Sequence, residues 1–259
     1  MMTSRVFIIM PAYNAGAHIE ATFGRIPPAV RERIARYVVC NDGSADDTAA
    51  AIGRLAATFP NLTVLTHEAN KGYGAAEKDL LMCAREYGAD VAVLLHADGQ
   101  YSPEKIPDLL APIEAGEAEI VQGSRMLGGG ALKGGMPLYK FIANKGLTFV
   151  ENLGFGLRMA EYHSGFMVYS RPVLERVPFG KLSDSFDIDI EMMVCAKILG
   201  MRIREVAIPT IYADEVSNLR PIKYGMNVLR IIARYRRGYY RQLLEMMNDE
   251  ARIRIGIGH

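Results

Sequence analysis

The sequence predicts an α/β protein with a mostly parallel central sheet flanked by helices, and three observations carry that prediction. Short β-rich runs alternate with helical stretches through the first half of the chain, which is the pattern of βαβ units. The runs end in polar residues and glycines rather than in further apolar residues. Half of the 259 residues are hydrophobic, enough to bury one large core or two small ones.

Each element follows from its own composition. "RVFIIM" is a five-residue apolar run closed by Pro11, which cannot donate to a ladder, and a helix is expected over 17–26. "YVVC" is the second strand, with Asp46 and Asp47 placed to cap a helix over 46–58. "LTVLT" is the third, and Gly72 and Gly74 then open a helix over 74–87. "VAVLL" is the fourth, with Pro103 at the start of a helix over 103–114, and "EIVQGS" is the fifth. Residues 126–136, "MLGGGALKGGM", are too rich in glycine for a stable helix or strand and predict a mobile loop. A helix over 137–153, the strand-like "HSGFMVYS", a helix over 187–199 and the strand-like "RIREVAIPT" complete the main body. An amphipathic stretch over 221–245 follows.

Composition excludes several classes. Thirty Lys and Arg nearly balance 29 Asp and Glu, so net charge offers no reason to expect nucleic acid. Cys40, Cys83 and Cys195 have neither metal-ligand nor redox spacing, so no disulfide framework is expected and a reducing cytoplasm fits. The short N-terminal apolar stretch lacks a small-residue cleavage site and reads as a first strand, not a signal peptide. No segment approaches the roughly 18 apolar residues of a membrane span.

Ligands of open parallel sheets collect at the carboxyl ends of the strands. Those ends carry "PAYN", "NDGS", "EANKGYG", "HADGQ" and "GSR". In "NDGS", Asp42 can accept hydrogen bonds from a ribose or a base edge, with an ordinary helix cap as the alternative. In "NKGYGAA" the glycines allow close backbone approach and Lys71 adds a cation suited to phosphate. Neither a Walker loop nor a G-x-G-x-x-G follows the first strand, so the usual ATP and dinucleotide fingerprints are absent.

Taken in order, "MPAYN", "NDGS", "NKGYGAA", "HADGQYSPE", "GSR" and "HSGF" resemble family 2 inverting glycosyltransferases of the GT-A fold, especially the dolichyl- and polyprenyl-phosphate hexosyl synthases. The resemblance covers about residues 5–230. It implies a UDP- or GDP-sugar donor, with Pro11, Ala12, Tyr13, Asn14 and Asp42 around the nucleoside and Lys71 beside it. It also implies a divalent cation, Mn²⁺ or Mg²⁺, at the Asp-x-Asp position, which is His96-Ala97-Asp98 in this chain, with Gln100 as a further ligand.

A cation there would stabilise the charge that builds up as the diphosphate departs. His96 replaces the first acidic residue. Imidazole suits Mn²⁺ better than the oxygen-preferring Mg²⁺, and the alternatives for His96 are a metal ligand, or a histidine that sits behind the ligands or contacts the donor.

The resemblance further places Arg125 of "GSR" at phosphate oxygens, and Lys133 is a second candidate whose alternative is an exposed cation. In "SDSFDIDIEMM", Asp189 aligns best with the family's acidic motif near the acceptor and is the candidate catalytic carboxylate; Asp187 and Glu191 flank it. A helix-starting acidic cluster is the alternative. His163 of "HSGF" can contact donor or acceptor, with a structural role beside the tight Ser-Gly turn as the alternative, while Met167 stands where many relatives have Arg, which weakens the case for an acceptor phosphate.

From residue 218 the chain carries nine Lys or Arg against three acids, a charge of +6 that leaves −5 on the rest given the total of +1. Such a basic helical extension, residues 221–259 beside a catalytic domain over 1–220, can lie on an anionic membrane or pack on protein through Val228, Leu229, Ile231 and Ile232.

The expected activity is therefore metal-dependent transfer of a hexose to a lipid-linked or polyprenyl-phosphate acceptor, in the cytoplasm or peripherally on the membrane. Homo-oligomerisation is open. A sugar-phosphate nucleotidyltransferase, or a non-catalytic nucleotide-sugar-binding or membrane-scaffold domain, are the competing readings. The first lacks a triphosphate loop after the first strand.

Overall fold

The computed structural model describes residues 4–209 and 221–254. Seven strands form one sheet: β1 (Val6–Ala12), β2 (Ile34–Asp42), β3 (Leu62–His67), β4 (Val91–Leu94), β5 (Ile120–Ser124), β6 (Met167–Ser170) and β7 (Ile203–Ala207). Their spatial order is β3-β2-β1-β4-β6-β5-β7. All neighbours run parallel except β6, which is antiparallel to both β4 and β5.

Helices occupy both faces. They are α1 (Ile19–Gly24), α2 (Pro28–Arg31), α3 (Thr48–Thr58), α4 (Tyr73–Glu86), α5 (Ile106–Glu114), α6 (Gly130–Lys133), α7 (Leu138–Phe155), α8 (Arg171–Arg176), α9 (Ile188–Ile198), α10 (Pro221–Arg236) and α11 (Tyr239–Arg254).

Side chains of a strand alternate between faces, and β1 divides its own accordingly. Phe7 and Ile9 join Leu80 of α4, Val194 of α9 and Tyr240 of α11 in one core. Val6, Ile8 and Met10 join Ile52 of α3 and Leu109 of α5 in the other. The three cysteines are free and buried, and burial pushes the Cys40 thiol up to about 12.

Two expectations are corrected. Residues 126–136 contain helical structure: Gly128 and Gly129 adopt left-handed φ of 74° and 73°, which turns the chain into α6, and Ala131 packs with Met126 and Met136. The glycines work as a turn before a short anchored helix. The C-terminal stretch is two helices, because Gly238 at φ 79° breaks it. Val228 and Ile231 of α10 are buried in the first core and Ile232 is partly buried against it, while Leu229 points outward. Among the described residues no helix is long and apolar enough to cross a membrane.

Candidate active site

The loops after β1 and β2 are tied together before any ligand is considered. Asn14 sits at φ 50°, its amide donates to Ser44 Oγ at 3.0 Å, and its Oδ1 accepts the Ala45 amide at 2.9 Å. Asn14 is thus held in a left-handed conformation that a short amide side chain tolerates. Pro11 and Ala12 close β1, and Tyr13 stands exposed beyond them.

Asp42, at the end of β2, is buried, with one oxygen 2.6 Å from His67 Nδ1 and accepting the Lys71 amide at 2.9 Å. The other accepts the Gly72 amide at 3.0 Å. Its carboxylate orders the loop that carries Lys71, whose side chain is exposed. The close approach read from Gly74 is made by the chain itself: a Cβ there would lie 2.6 Å from the Ser183 carbonyl oxygen. The Gly74 amide donates to the Asp184 carbonyl at 3.0 Å. Absence of a side chain at Gly74 therefore lets the acidic segment after Ser183 dock on the start of α4.

That docking brings distant motifs together. Tyr73 Oη donates to Asp189 Oδ2 at 3.2 Å and lies 3.1 Å from His96 Nε2. Its ring stacks on Phe186 at 5.2 Å. Tyr169 Oη donates to Asp189 Oδ1 at 2.8 Å and lies 3.2 Å from Glu77 Oε1. Asp189 and Glu77 thus form a buried pair of carboxyl groups joined by a tyrosine.

Burial raises the Asp189 carboxyl to about 6, although bonds from Tyr169, Tyr73 and Glu77 pull the other way. Burial, and next the Asp189 charge, raise Glu77 well above the carboxylate range. Tyr73, Glu77 and Tyr169 were not singled out in the sequence. Glu77 had a legible signal, since it shares the buried stripe of α4 with Leu80, Leu81 and Ala84.

His96 is enclosed by Tyr73, by Tyr101 edge-on at 5.1 Å, and by Gly165, where a Cβ would meet Nε2 at 2.6 Å. Burial lowers its pKa. Asp98 Oδ1 accepts the Gln100 amide at 3.0 Å in the turn after β4. Among the described residues no group of three His, Cys, Asp or Glu side chains is arranged to hold a metal by itself. Asp98 with the Gln100 amide oxygen nevertheless fits the way Mg²⁺ is usually bound beside phosphates, through one or two carboxylates, water and substrate oxygens. The donor set therefore fits an ion shared with a diphosphate, not a protein cage.

Arg125 follows β5. Its Nε donates to Glu161 Oε1 at 3.0 Å, its Nη2 also meets Glu161 and donates to the His163 carbonyl at 2.7 Å. The Glu161 side chain is fully buried. His163 Nε2 lies 3.0 Å from Glu151 Oε2 on α7, whose carboxyl is raised by burial against the lowering effect of His163. Asn144 of α7 also donates to Glu161. The structure thus brings Arg125 and His163 together, backed by α7, and His96 and Asp189 together at Tyr73, while no contact joins Asp98 to Tyr73 among the described interactions. The Lys133 side chain lies outside the described part of the structure.

Removing one partner of a buried ion pair costs about 3–5 kcal/mol. Arg125→Met is expected to lower the melting temperature by many degrees, with part of the loss recovered in the Arg125→Met, Glu161→Gln double variant. Thermal unfolding of the four proteins in that cycle reads the coupling.

The chain is similar to known proteins in sequence and in fold. The model of "Glycosyl transferase family 2" matches residues 7–177. A UDP-N-acetylglucosamine–dolichyl-phosphate N-acetylglucosaminyltransferase of Methanococcus voltae is 30% identical over 226 residues, 83% of this chain and 88% of the relative. An undecaprenyl-phosphate mannosyltransferase of Micrococcus luteus is 30% identical over 205 residues, 79% of this chain and 82% of the relative.

Glucosyl-3-phosphoglycerate synthase from Mycobacterium tuberculosis, solved with Mn²⁺, UDP and phosphoglyceric acid, superposes with a TM-score of 0.62 at 20% identity. The superposition covers 90% of this chain and 77% of that one, a likeness of fold. The chain has the GT-A fold expected of it and belongs to glycosyl transferase family 2.

Proposed function

We propose that this protein is an inverting hexosyltransferase that uses a UDP- or GDP-sugar and a divalent cation, Mn²⁺ or Mg²⁺, to glycosylate a polyprenyl-phosphate or other lipid-linked acceptor. The observation that carries the reading is the Asp189–Tyr73–His96 linkage, which ties the acidic motif to the strand end bearing Asp98. The family relation and the lipid-phosphate relatives support it.

In this reading Pro11, Ala12, Tyr13 and Asn14 border the nucleoside, and Lys71 sits beside it. Asp42 acts by ordering the Lys71 loop. Asp98 and Gln100 would hold the cation against the diphosphate, where it supplies electrostatic stabilisation of the leaving group. His96, with Nε2 facing Tyr73, positions Tyr73 and does not ligate. Arg125 and His163, backed by Glu161 and Glu151, face the phosphates.

Asp189 lies within hydrogen-bond reach of Tyr73 and Tyr169 and accepts the acceptor's proton. A phosphate monoester has a second pKa of about 6, the same as that of Asp189, so transfer of its last proton is nearly thermoneutral.

UDP- and GDP-sugars screened with and without Mn²⁺ or Mg²⁺ should raise the melting temperature for one base, and only with metal. Transfer from that donor to a short-chain polyprenyl phosphate is then expected. Stabilisation by no donor under any metal condition would overturn the reading.

A further inference from the structure

Helix α7 has two apolar faces, and the globular core accounts for only one. Its inward face carries Thr148, Glu151, Gly154 and Phe155, all buried, and it meets the site through Glu151 on His163 and Asn144 on Glu161. On the other side Leu138, Tyr139, Ile142, Phe149 and Leu153 are 61–70% exposed. At 100° per residue these five fall within an arc of about 100°, and no charged residue lies inside it. The stripe runs most of the helix, about 27 Å at 1.5 Å per residue. Scattered exposed apolar residues are ordinary, but a contiguous stripe of large ones on one helix marks an interaction surface.

Helix α10 extends it. Ile232 packs on Gly154, where a Cβ would come within 2.8 Å, and Arg236 Nη2 donates to the Leu153 carbonyl at 2.6 Å. Beside that seam Met226 and Leu229 are 57% and 55% exposed.

The exposed charge on these two helices has one sign. Lys145 on α7 and Lys223, Arg230 and Arg236 on α10 are exposed. The only acid in either helix is Glu151, which is buried against His163.

We propose that the outward face of α7, joined by Met226 and Leu229 of α10, seats on an anionic lipid bilayer. The inference deepens the lipid-linked acceptor reading and rests on it for its purpose, while its geometry stands alone. Apolar side chains bordered by cations complement an interface of acyl chains under anionic headgroups. A second copy of the chain is a poorer occupant, since a two-fold pairing of this patch would set its cations against one another. One helix then separates bilayer from site. With a helix diameter of about 10 Å, a headgroup at the outer face lies roughly that distance from Glu151 and His163.

The sequence contains no tryptophan, so Phe149→Trp installs a single indole on the stripe. With vesicles of phosphatidylcholine containing phosphatidylglycerol at low salt, its emission should shift to the blue. A Val64→Trp indole on edge strand β3 should not shift. The Ile142→Glu, Phe149→Glu double variant should lower the vesicle-bound fraction at least tenfold in sedimentation, with an unchanged melting temperature because both side chains are exposed.

No blue shift at position 149, or wild-type vesicle binding by the double variant, overturns the proposal. So does a lipid-independent blue shift accompanied by a doubled mass in light scattering, which assigns the face to a second copy. Vesicle binding without transfer to any polyprenyl phosphate would refute the acceptor reading and leave the surface standing. Transfer to a short-chain acceptor without vesicle binding would do the reverse.

Discussion

Asp98→Ala is expected to lower kcat/KM by about 10³-fold or more and to abolish the metal-dependent stabilisation by donor, with little effect on folding. Of the proposed ligands Asp98 and Gln100, the carboxylate is the one that carries a formal charge, and loss of such an ion removes several kcal/mol of transition-state stabilisation. Among the described residues its carboxylate accepts the Gln100 amide in a partly exposed turn, a hydrogen bond worth about 1 kcal/mol. Activity and stability should therefore separate cleanly. Metal titrations of donor-induced melting shifts check this: retention of the wild-type metal response by Asp98→Ala would remove the assignment. His96→Gln should fall far less in activity, since its Nε2 faces Tyr73.

Asp189→Asn is expected to lower kcat by about 10²–10⁴-fold, the usual contribution of a positioned base, and at the same time to raise the melting temperature at neutral pH. The two effects have one cause. Burial holds the folded-state carboxyl at about 6, above its ordinary 3.8. The protein therefore binds this proton more tightly folded than unfolded. The resulting stability is fully present below about pH 4 and is lost as pH rises through about 6.

Asparagine is neutral throughout, so the variant should gain a few degrees at pH 7.5 and nothing at pH 4. Wild-type kcat should fall as pH drops through about 6, where Asp189 and a phosphate acceptor both become protonated. A variant that is inactive yet no more stable at pH 7.5 would indicate that the carboxylate is compensated by a charge not described among its partners.

Much of this arrangement was legible in the sequence because it depends on local chemistry. Apolar runs such as "VAVLL" appear as strands, and the strand ends carry His96, Asp98 and Arg125 where a parallel sheet places its ligands. What escaped notice depends on contacts between segments far apart. Nothing near Tyr73 announces that Asp189, 116 residues later, accepts a hydrogen bond from its hydroxyl.

Similarly, nothing near Arg125 announces Glu161 as its partner. Glu77 and Glu151 were readable in principle, as acids on otherwise buried helical stripes. The glycine-rich segment misled because its composition resembles that of a linker, whereas two left-handed glycines and a buried Ala131 stabilise a short helix. Periodicity alone also could not divide 221–245, since the break depends on the backbone of Gly238.

The reversal of β6 has a consequence for how such a molecule can change its preferences. Chain leaves the sheet after Ser124 and re-enters at Met167 on the same rim, because neighbouring strands β5 and β6 run in opposite directions. Everything between is an excursion whose two feet stand side by side, clasped by Arg125 on Glu161 and by Gln122 on the Ser164 carbonyl. Lengthening or exchanging the part of that excursion between the two clasps alters no strand of the sheet. Such a change leaves the strand ends that carry Asp42, His96 and Asp98 as they were.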